Sequence, residues 1–241
     1  VGDWSSDVCS SDLPAIASPR EYHYRSKITP HFDKPKEGGK PAIGFLKAGS
    51  RREVVDVPQC PIAMECINEV LPMARKSVYQ AAARFKRGAT ILLRASEGGV
   101  ITNNNAVACE KVGTLEFHFL AGDFFQNNPF ILPLFTDYVA RQASMDGEEF
   151  LVDAYCGSGL FALSLAEKFK KVLGVEVSET SADWARSNAR SNGISHVEFL
   201  AADAGAIFAQ VDFPAEKTAV VIDPPRKGCS MEFLTQLFAF S

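Results

Sequence analysis

The chain has 241 residues, 46% of them hydrophobic and 22% charged, with a formal net charge of −4. This is the composition of an ordinary globular protein with material for one large or two small domains, and no apolar run approaches the roughly 18–20 residues that a membrane span needs. The acidic balance excludes a globally basic nucleic-acid binder, so any RNA contact must use a local basic face.

Residues 1–13 open with no basic stretch, no apolar core and no periodicity, so they are not a signal peptide. They resemble a translated sequencing-adapter tract, and residues 1–19 are expected to form a disordered tail outside the fold. From Tyr22 to Ile28 aromatic and polar residues alternate, predicting a strand with one exposed face. Residues 42–46 and 53–57 predict two more strands. Ile62, Ile67, Val70, Leu71 and Ala74 form the apolar stripe of a helix that Pro72 should kink or shorten. Residues 89–94, 99–102 and 114–119 are further strand candidates, so residues 20–121 read as an antiparallel α+β domain.

That region is rich in cations, among them Arg25, Lys27, Lys34, Lys36, Lys40, Lys47, Arg51, Arg52, Arg75, Lys76, Arg84, Lys86 and Arg87. Interleaved with Tyr22, Tyr24 and Phe32, they could line a face that tracks phosphates; solvated strand edges guarded by Lys and Arg are the plain alternative. The six cysteines, at 9, 60, 66, 109, 156 and 229, form no close C-x-x-C pair. They read as reduced thiols of an intracellular, cytoplasmic protein, with no metal site.

Residues 122–129 form a loop carrying Gln126, which can donate and accept at once, followed by an amphipathic stretch over 130–139. Phe150-Leu151-Val152 then leads into the turn Gly157-Ser158-Gly159, an amphipathic stretch over 160–169, and a second strand over 171–177 that carries Glu176 near its end. Strand, glycine turn, helix, and strand with a terminal acid is half of a doubly wound nucleotide-binding sheet. Glu176 can accept hydrogen bonds from both hydroxyls of a ribose, so an adenosine-containing cofactor is expected here. The turn also satisfies the dinucleotide fingerprint, Gly157-x-Gly159-x-x-Ala162, and an NAD enzyme is the alternative. Two features favour S-adenosyl-L-methionine: Asp153, placed to hold an ammonium group, and Asp223-Pro224-Pro225-Arg226 at the end of another buried strand, where a rigid turn can hold a carboxylate against a planar ring. A helix over 178–192, a third strand over 196–200, a fourth over 218–222 and a last helix over 231–240 complete the pattern. Asp203, after the third strand, reads equally as a contact to the adenine amino group or as a helix N-cap.

Tyr-x-Tyr-Arg at 22–25, Phe-Phe-Gln-x-Asn at 124–128, Asp-Ala-Tyr-Cys-Gly-Ser-Gly at 153–159, Gly-Val-Glu at 174–176 and Asp-Pro-Pro-Arg-Lys-Gly at 223–228 carry a resemblance. From about Tyr22 to Phe238 the sequence resembles the RNA 5-methyluridine methyltransferase family, on its eukaryotic, fungal-like tRNA side. The resemblance implies a Rossmann-like S-adenosylmethionine-dependent methyltransferase fold over 122–241, preceded by the α+β domain, which would contact RNA. It also implies cofactor contacts by Gln126, Tyr155, Glu176 and Asp223, with Gln126 and Asp223 meeting a flipped uracil; the residue pattern adds Gly157 and Asp203 to the expected cofactor site. The substrate implied is tRNA, with ribosomal RNA the nearer variant.

In this family a cysteine thiolate adds to carbon 6 of uracil and a carboxylate later removes the carbon 5 proton. Neither residue is found before Ser241, since Cys156 lies in the cofactor turn and Cys229 directly follows the proline motif. The expectation is therefore a C-terminally truncated, monomeric chain that binds cofactor but does not turn over, and a non-catalytic tRNA-binding module is the reading from another class. Cys60-Pro61 matches one ligand position of cluster-bearing bacterial relatives without the other ligands, so no iron–sulfur cluster is expected.

Overall fold

A computed structural model describes residues 15–34, 39–202 and 207–240. The expected disorder of residues 1–14 and the position of Asp203 lie outside them. Residues 15–20 pack on the body: Ser18 Oγ accepts from Asn128 Nδ2 at 3.0 Å, and the Arg20 guanidinium lies 4.1 Å from the Phe130 ring centre.

The N-terminal part is antiparallel, as its alternating sequence predicts. Strands β1 (Lys27–Ile28), β6 (Leu93–Ser96) and β7 (Gly99–Ile101) form one small sheet in the order β1-β6-β7. A second has the order β4-β3-β2-β5, from β2 (His31–Phe32), β3 (Ile43–Leu46), β4 (Val54–Asp56) and β5 (Ala89–Thr90). The single strand expected over 89–94 is thus two short ones serving different sheets. The strand expected over Tyr22–Ile28 shrinks to two residues, because the backbone before it pairs with the entrance to the first helix: His23 N–H donates to Pro61 and Arg25 N–H to Ile62.

Helix α1 (Glu65–Gln80) lays Ile67, Leu71 and Val78 against these sheets. Pro72 stands inside it without ending it. Its ring is on the solvent side, away from the face that carries Ile67 and Leu71. One clamp joins α1 to β3 and β4. Arg75 donates to both carboxylate oxygens of Asp56 (2.8 and 2.9 Å) and to the Ile43 carbonyl (2.7 Å), while Asp56 accepts the Ile43 amide.

A hairpin, β8 (Val107–Val112) and β9 (Leu115–Leu120), connects to the C-terminal part. Its inner face presents Ala108, Val112, Phe117 and Phe119 to a core shared with Leu132, Leu151, Leu163 and Val172. The next elements are α2 (Leu132–Ala143), β10 (Phe150–Ala154), α3 (Leu160–Ser164), β11 (Lys171–Glu176), α4 (Glu179–Ser191), β12 (Val197–Ala201), β13 (Thr218–Ile222) and α5 (Met231–Phe240). The amphipathic stretch expected over 160–169 is only partly α-helical: α3 gives way to a 3-10 turn at Ala166–Lys168. The α4 boundaries follow from its caps, Ser178 Oγ accepting from Ser181 N–H at one end and Gly193 (φ +69°) turning the chain at the other.

The four late strands form one parallel sheet in the order β12-β11-β10-β13. Helices cover both faces, so β10 alternates between two cores: Leu151 belongs to the cluster shared with the hairpin, and Val152 and Ala154 to one with Val175 and Phe233. The order runs outward from β10 through β11 to β12, then reverses to β13. The reversal puts the C-terminal ends of β10 and β13 side by side, Ala154 opposite Ile222, at the kind of crevice where doubly wound sheets bind ligands.

Two asparagines tie the hairpin to this sheet. Asn188 on α4 and Asn192, one helical turn further at its C-cap, each accept an amide and donate to a carbonyl of the β9 backbone, at His118 and Glu116, over 2.8–3.0 Å. Their amide groups pair with the strand edge as another strand would. Asn188 also donates to the Ser158 carbonyl at 3.0 Å, so the same side chain fixes the glycine turn.

Candidate cofactor and base-binding site

At the tip of β10 the chain must turn sharply, and it does so with three uncommon geometries at alternate positions. Tyr155 has φ +67°, Gly157 φ +55° and Gly159 φ +93°. Positive φ costs a glycine little, but for a tyrosine it is a strained conformation that the surroundings must hold. The Tyr155 ring lies 5.5 Å, centre to centre, from that of Phe233, which is fully buried on α5. A Cβ built at Gly157 meets nothing within 4 Å, so the backbone there borders open space.

Glu176, at the end of neighbouring β11, holds this turn from the side. One carboxylate oxygen accepts the Gly157 amide at 3.0 Å and the other the Ser178 amide at 2.9 Å. Each oxygen retains a lone pair for a ligand hydroxyl.

Asp153 is fully buried, on the same face of β10 as Leu151. One of its oxygens accepts the Ala162 amide at 2.8 Å and the other has no hydrogen-bond partner among the described residues. The sequence suggested that Asp153 holds an ammonium group directly; the structure instead uses it to anchor α3 beneath the turn. Burial, with the charges of Asp223 and Glu176 adding to it, pushes its carboxyl up to about 7. The folded state therefore holds a proton that the unfolded chain releases near 3.8, and stability present below that value is lost as pH rises through 7. Asp153→Asn keeps an acceptor for Ala162 and removes the titration. Differential scanning fluorimetry should find the variant's melting temperature above the parent's at pH 8, with the gap closing at pH 5.

On the other side of β10, Asp223 follows β13 and accepts from Gln126 Nε2 at 3.1 Å. Partial burial raises the Asp223 carboxyl, and the Gln126 hydrogen bond opposes the rise. Pro224 and Pro225 start the turn that the Gly228 amide closes on the Pro225 carbonyl at 2.7 Å. Two clefts border this corner, of about 350 Å³ and about 430 Å³. Gln126, Ile131, Phe135 and Tyr138 are among the residues lining the first, and Phe135, Phe161, Val221 and Asp223 the second. Beside Gln126, the Phe124 side chain is 73% exposed. Sequence reading included it in a motif without assigning it a role, since exposure of a single aromatic has no local signature.

The fold therefore gathers Gln126, Tyr155, Gly157, Glu176 and Asp223 along one edge of the parallel sheet, with Asp153 below. It does not gather all the cations expected on the RNA face. Lys27 points inward to the Gly122 and Asp123 carbonyls (2.7 and 2.9 Å), Arg75 clamps Asp56, and the Arg25 Nε serves the Lys27 carbonyl at 3.0 Å. Phe32 is buried against Phe85. Lys34, Lys40, Lys47, Arg51, Arg52, Lys76, Arg84, Lys86 and Arg87 remain exposed, Lys47 paired with Glu53, and Lys36 lies outside the described residues.

Cys60 is buried in the core under α1. Among the described residues, the grouping with metal-ligand spacing is Cys109, Glu116 and His118 on the outer face of the hairpin. Lys111 already bridges Glu116 and the nearby Glu97 there.

A parallel sheet with this strand order, a glycine turn held by an acid on the next strand, and an acid–proline corner across the switch point define the S-adenosylmethionine-dependent methyltransferase fold. The comparisons agree. The structure of a tRNA (uracil-54, C5)-methyltransferase from Pyrococcus abyssi in complex with S-adenosyl-L-homocysteine superposes with a TM-score of 0.67 at 18% identity, over 91% of this chain and 64% of that one. The family model described as tRNA (Uracil-5-)-methyltransferase matches residues 89–240, and the chain belongs to that family. It is similar to the tRNA (uracil(54)-C(5))-methyltransferases of Schizosaccharomyces pombe, at 46% identity over 98% of this chain and 48% of the relative, and of Saccharomyces cerevisiae, at 36% over 94% and 45%. It thus spans about half the length of the curated relatives it matches. No described helix is long and apolar enough to cross a membrane.

Proposed function

We propose that this chain binds S-adenosyl-L-methionine and serves the methylation of carbon 5 of a uridine in tRNA. The observation that carries the reading is the Gln126–Asp223 contact across the switch point, one strand away from the Glu176-held glycine turn. When bound, the cofactor supplies an electrophilic methyl group on a sulfonium centre. The site suits a ligand with an ammonium and a sulfonium, because Glu176 and Asp223 place two acids at the strand tips on either side of the turn, and the open space above Gly157 admits an adenosine.

In this reading Glu176 receives the ribose hydroxyls and Gly157 lets the cofactor approach the backbone. Tyr155 borders the cofactor, while Asp203, expected near the adenine, lies outside the described residues. Gln126 and Asp223 together offer a donor and two acceptors at the edge of a flipped base. The nucleophile is neither Cys156, which is buried with its thiol raised well above the usual value, nor Cys229, which packs beside the α5 core. The five described cysteines are unpaired, which supports work in the reducing cytoplasm. The chain is taken to act as a monomer, without metal or iron–sulfur cluster.

Equilibrium dialysis with labelled S-adenosylmethionine tests the reading: binding should be displaced by S-adenosylhomocysteine and not by NADH, and displacement by NADH alone would overturn it. A gel shift with a tRNA T-loop hairpin supplies the second arm. Exposed Phe124 is positioned to stack on a base, an interaction worth about 1–3 kcal/mol. Phe124→Ala should therefore weaken hairpin binding about tenfold while S-adenosylhomocysteine affinity stays at the parent value.

A further inference from the structure

The segment from Ala121 to Asn128 has no regular secondary structure, yet it carries Gln126 to its partner across the cleft. Its carbonyls are held by donors from the N-terminal part of the molecule. Arg94, on β6 and only 1% exposed, donates from Nε to Ala121 and from Nη2 to Asp123, both at 2.9 Å. Lys27, on β1, donates to Gly122 at 2.7 Å and to Asp123 at 2.9 Å. The Ser26 amide donates to Asn127 at 2.8 Å. Phe125 is held at the same time, stacked on Phe119 with centres 4.3 Å apart and tilted against Phe117 at 5.7 Å.

Alternation along the segment then does the rest. With Phe125 fixed inward, Phe124 is exposed and Gln126 reaches Asp223. A buried guanidinium is a costly way to fill a core, where an apolar side chain of similar volume serves as well or better. Arg94 Nη1 has no hydrogen-bond partner among the described residues, so the group is not saturated by its surroundings. What its cation accomplishes is the capture of two carbonyls that no strand partner takes, with the Phe119 ring 5.0 Å from its centre.

We propose that Arg94 and Lys27 are positioning residues for Gln126: from the antiparallel part of the chain they set the Ala121–Asn128 segment so that Gln126 meets Asp223 at the cofactor edge. The inference rests on the proposed reading of that edge as the cofactor and base site. It makes the N-terminal unit a determinant of cofactor binding as well as a surface for RNA.

The test uses the full chain with Arg94→Met, Arg94→Lys and Lys27→Met, each alone and combined with Gln126→Ala. Hydrogen exchange by mass spectrometry should show the amides of 121–128 exchanging about tenfold faster in Arg94→Met and Lys27→Met, with β10, β11 and α4 protected as in the parent. Arg94→Lys should fall between. Affinity for S-adenosylhomocysteine should drop in each single variant, and adding Gln126→Ala should cause no further loss, because the residues act through one contact. Unchanged exchange in 121–128, or losses that multiply in the double variants, would overturn the proposal. A parent chain that binds no S-adenosylhomocysteine overturns the cofactor reading instead, and the exchange measurement still decides whether Arg94 and Lys27 hold the segment. Should Arg94→Met fail to fold, Lys27→Met carries both measurements, since Lys27 is only half-buried.

Discussion

Glu176→Ala will lose at least 100-fold in affinity for S-adenosylhomocysteine and will melt below the parent. The carboxylate accepts the Gly157 and Ser178 amides, and both donors lose their partner when it is removed. An unsatisfied donor costs on the order of 1–3 kcal/mol when buried. These two are partly solvated, so the lower end applies to each. The binding loss adds the proposed ribose contacts to a turn that is no longer held, and 100-fold corresponds to about 2.7 kcal/mol. Glu176→Gln should fall between the two proteins, because its amide group keeps one acceptor and points a donor at the other N–H. Isothermal titration calorimetry reads the affinities. An alanine variant binding within threefold of the parent would remove Glu176 from the site.

The second large effect lies just behind the turn. Gly174 on β11 sits opposite Phe199 on β12, and a Cβ at 174 would lie 2.6 Å from two carbons of the Phe199 ring and 3.0 Å from the Cys156 sulfur. The same ring stands 3.2 Å from where a Cβ of Gly159 would be. Phe199 thus occupies the room that two glycines leave, one in the turn and one in the strand. Gly174→Ala should destabilise the protein by about 1–3 kcal/mol, the range for overpacking. Phe199→Leu alone should cost less, and in the double variant the two should partly cancel, with a coupling of at least about 1 kcal/mol. Urea denaturation measures all four proteins. Additive losses would show that the ring does not mediate the effect.

Much of this architecture was legible because parallel strands are buried on both faces. Thr218–Ile222 and Met231–Phe240 were read with the boundaries the structure shows, and the glycine turn followed from its spacing to Glu176. Strand β8 went unread for a specific reason. Its inner face carries Glu110 between Ala108 and Val112, and a charge there breaks the apolar alternation that marks a strand. Burial pushes the Glu110 carboxyl up to about 7, opposed by the charge of nearby Arg94. The cations of residues 20–121 misled in the opposite direction. Lys27 and Arg75 sit in polar-looking sequence, yet their long stems let them turn inward to backbone carbonyls. The clasp formed by Asn188 and Asn192 was invisible as well, because a helical asparagine usually points to solvent.

From its amino acids alone this protein declares a parallel doubly wound sheet, the glycine turn at its switch point and the acids at the strand tips. Those features depend on residues a few positions apart, where backbone geometry and hydrophobic period act directly. Only the folded chain decides which polar side chains become struts and which stay on the surface. Gln126 and Asp223 are 97 positions apart, and Arg94 and Asp123 are 29 apart. Contacts at such separations depend on the path of the whole backbone, and hydrogen bonding, unlike hydrophobicity, leaves no period in the sequence from which the partner could be read.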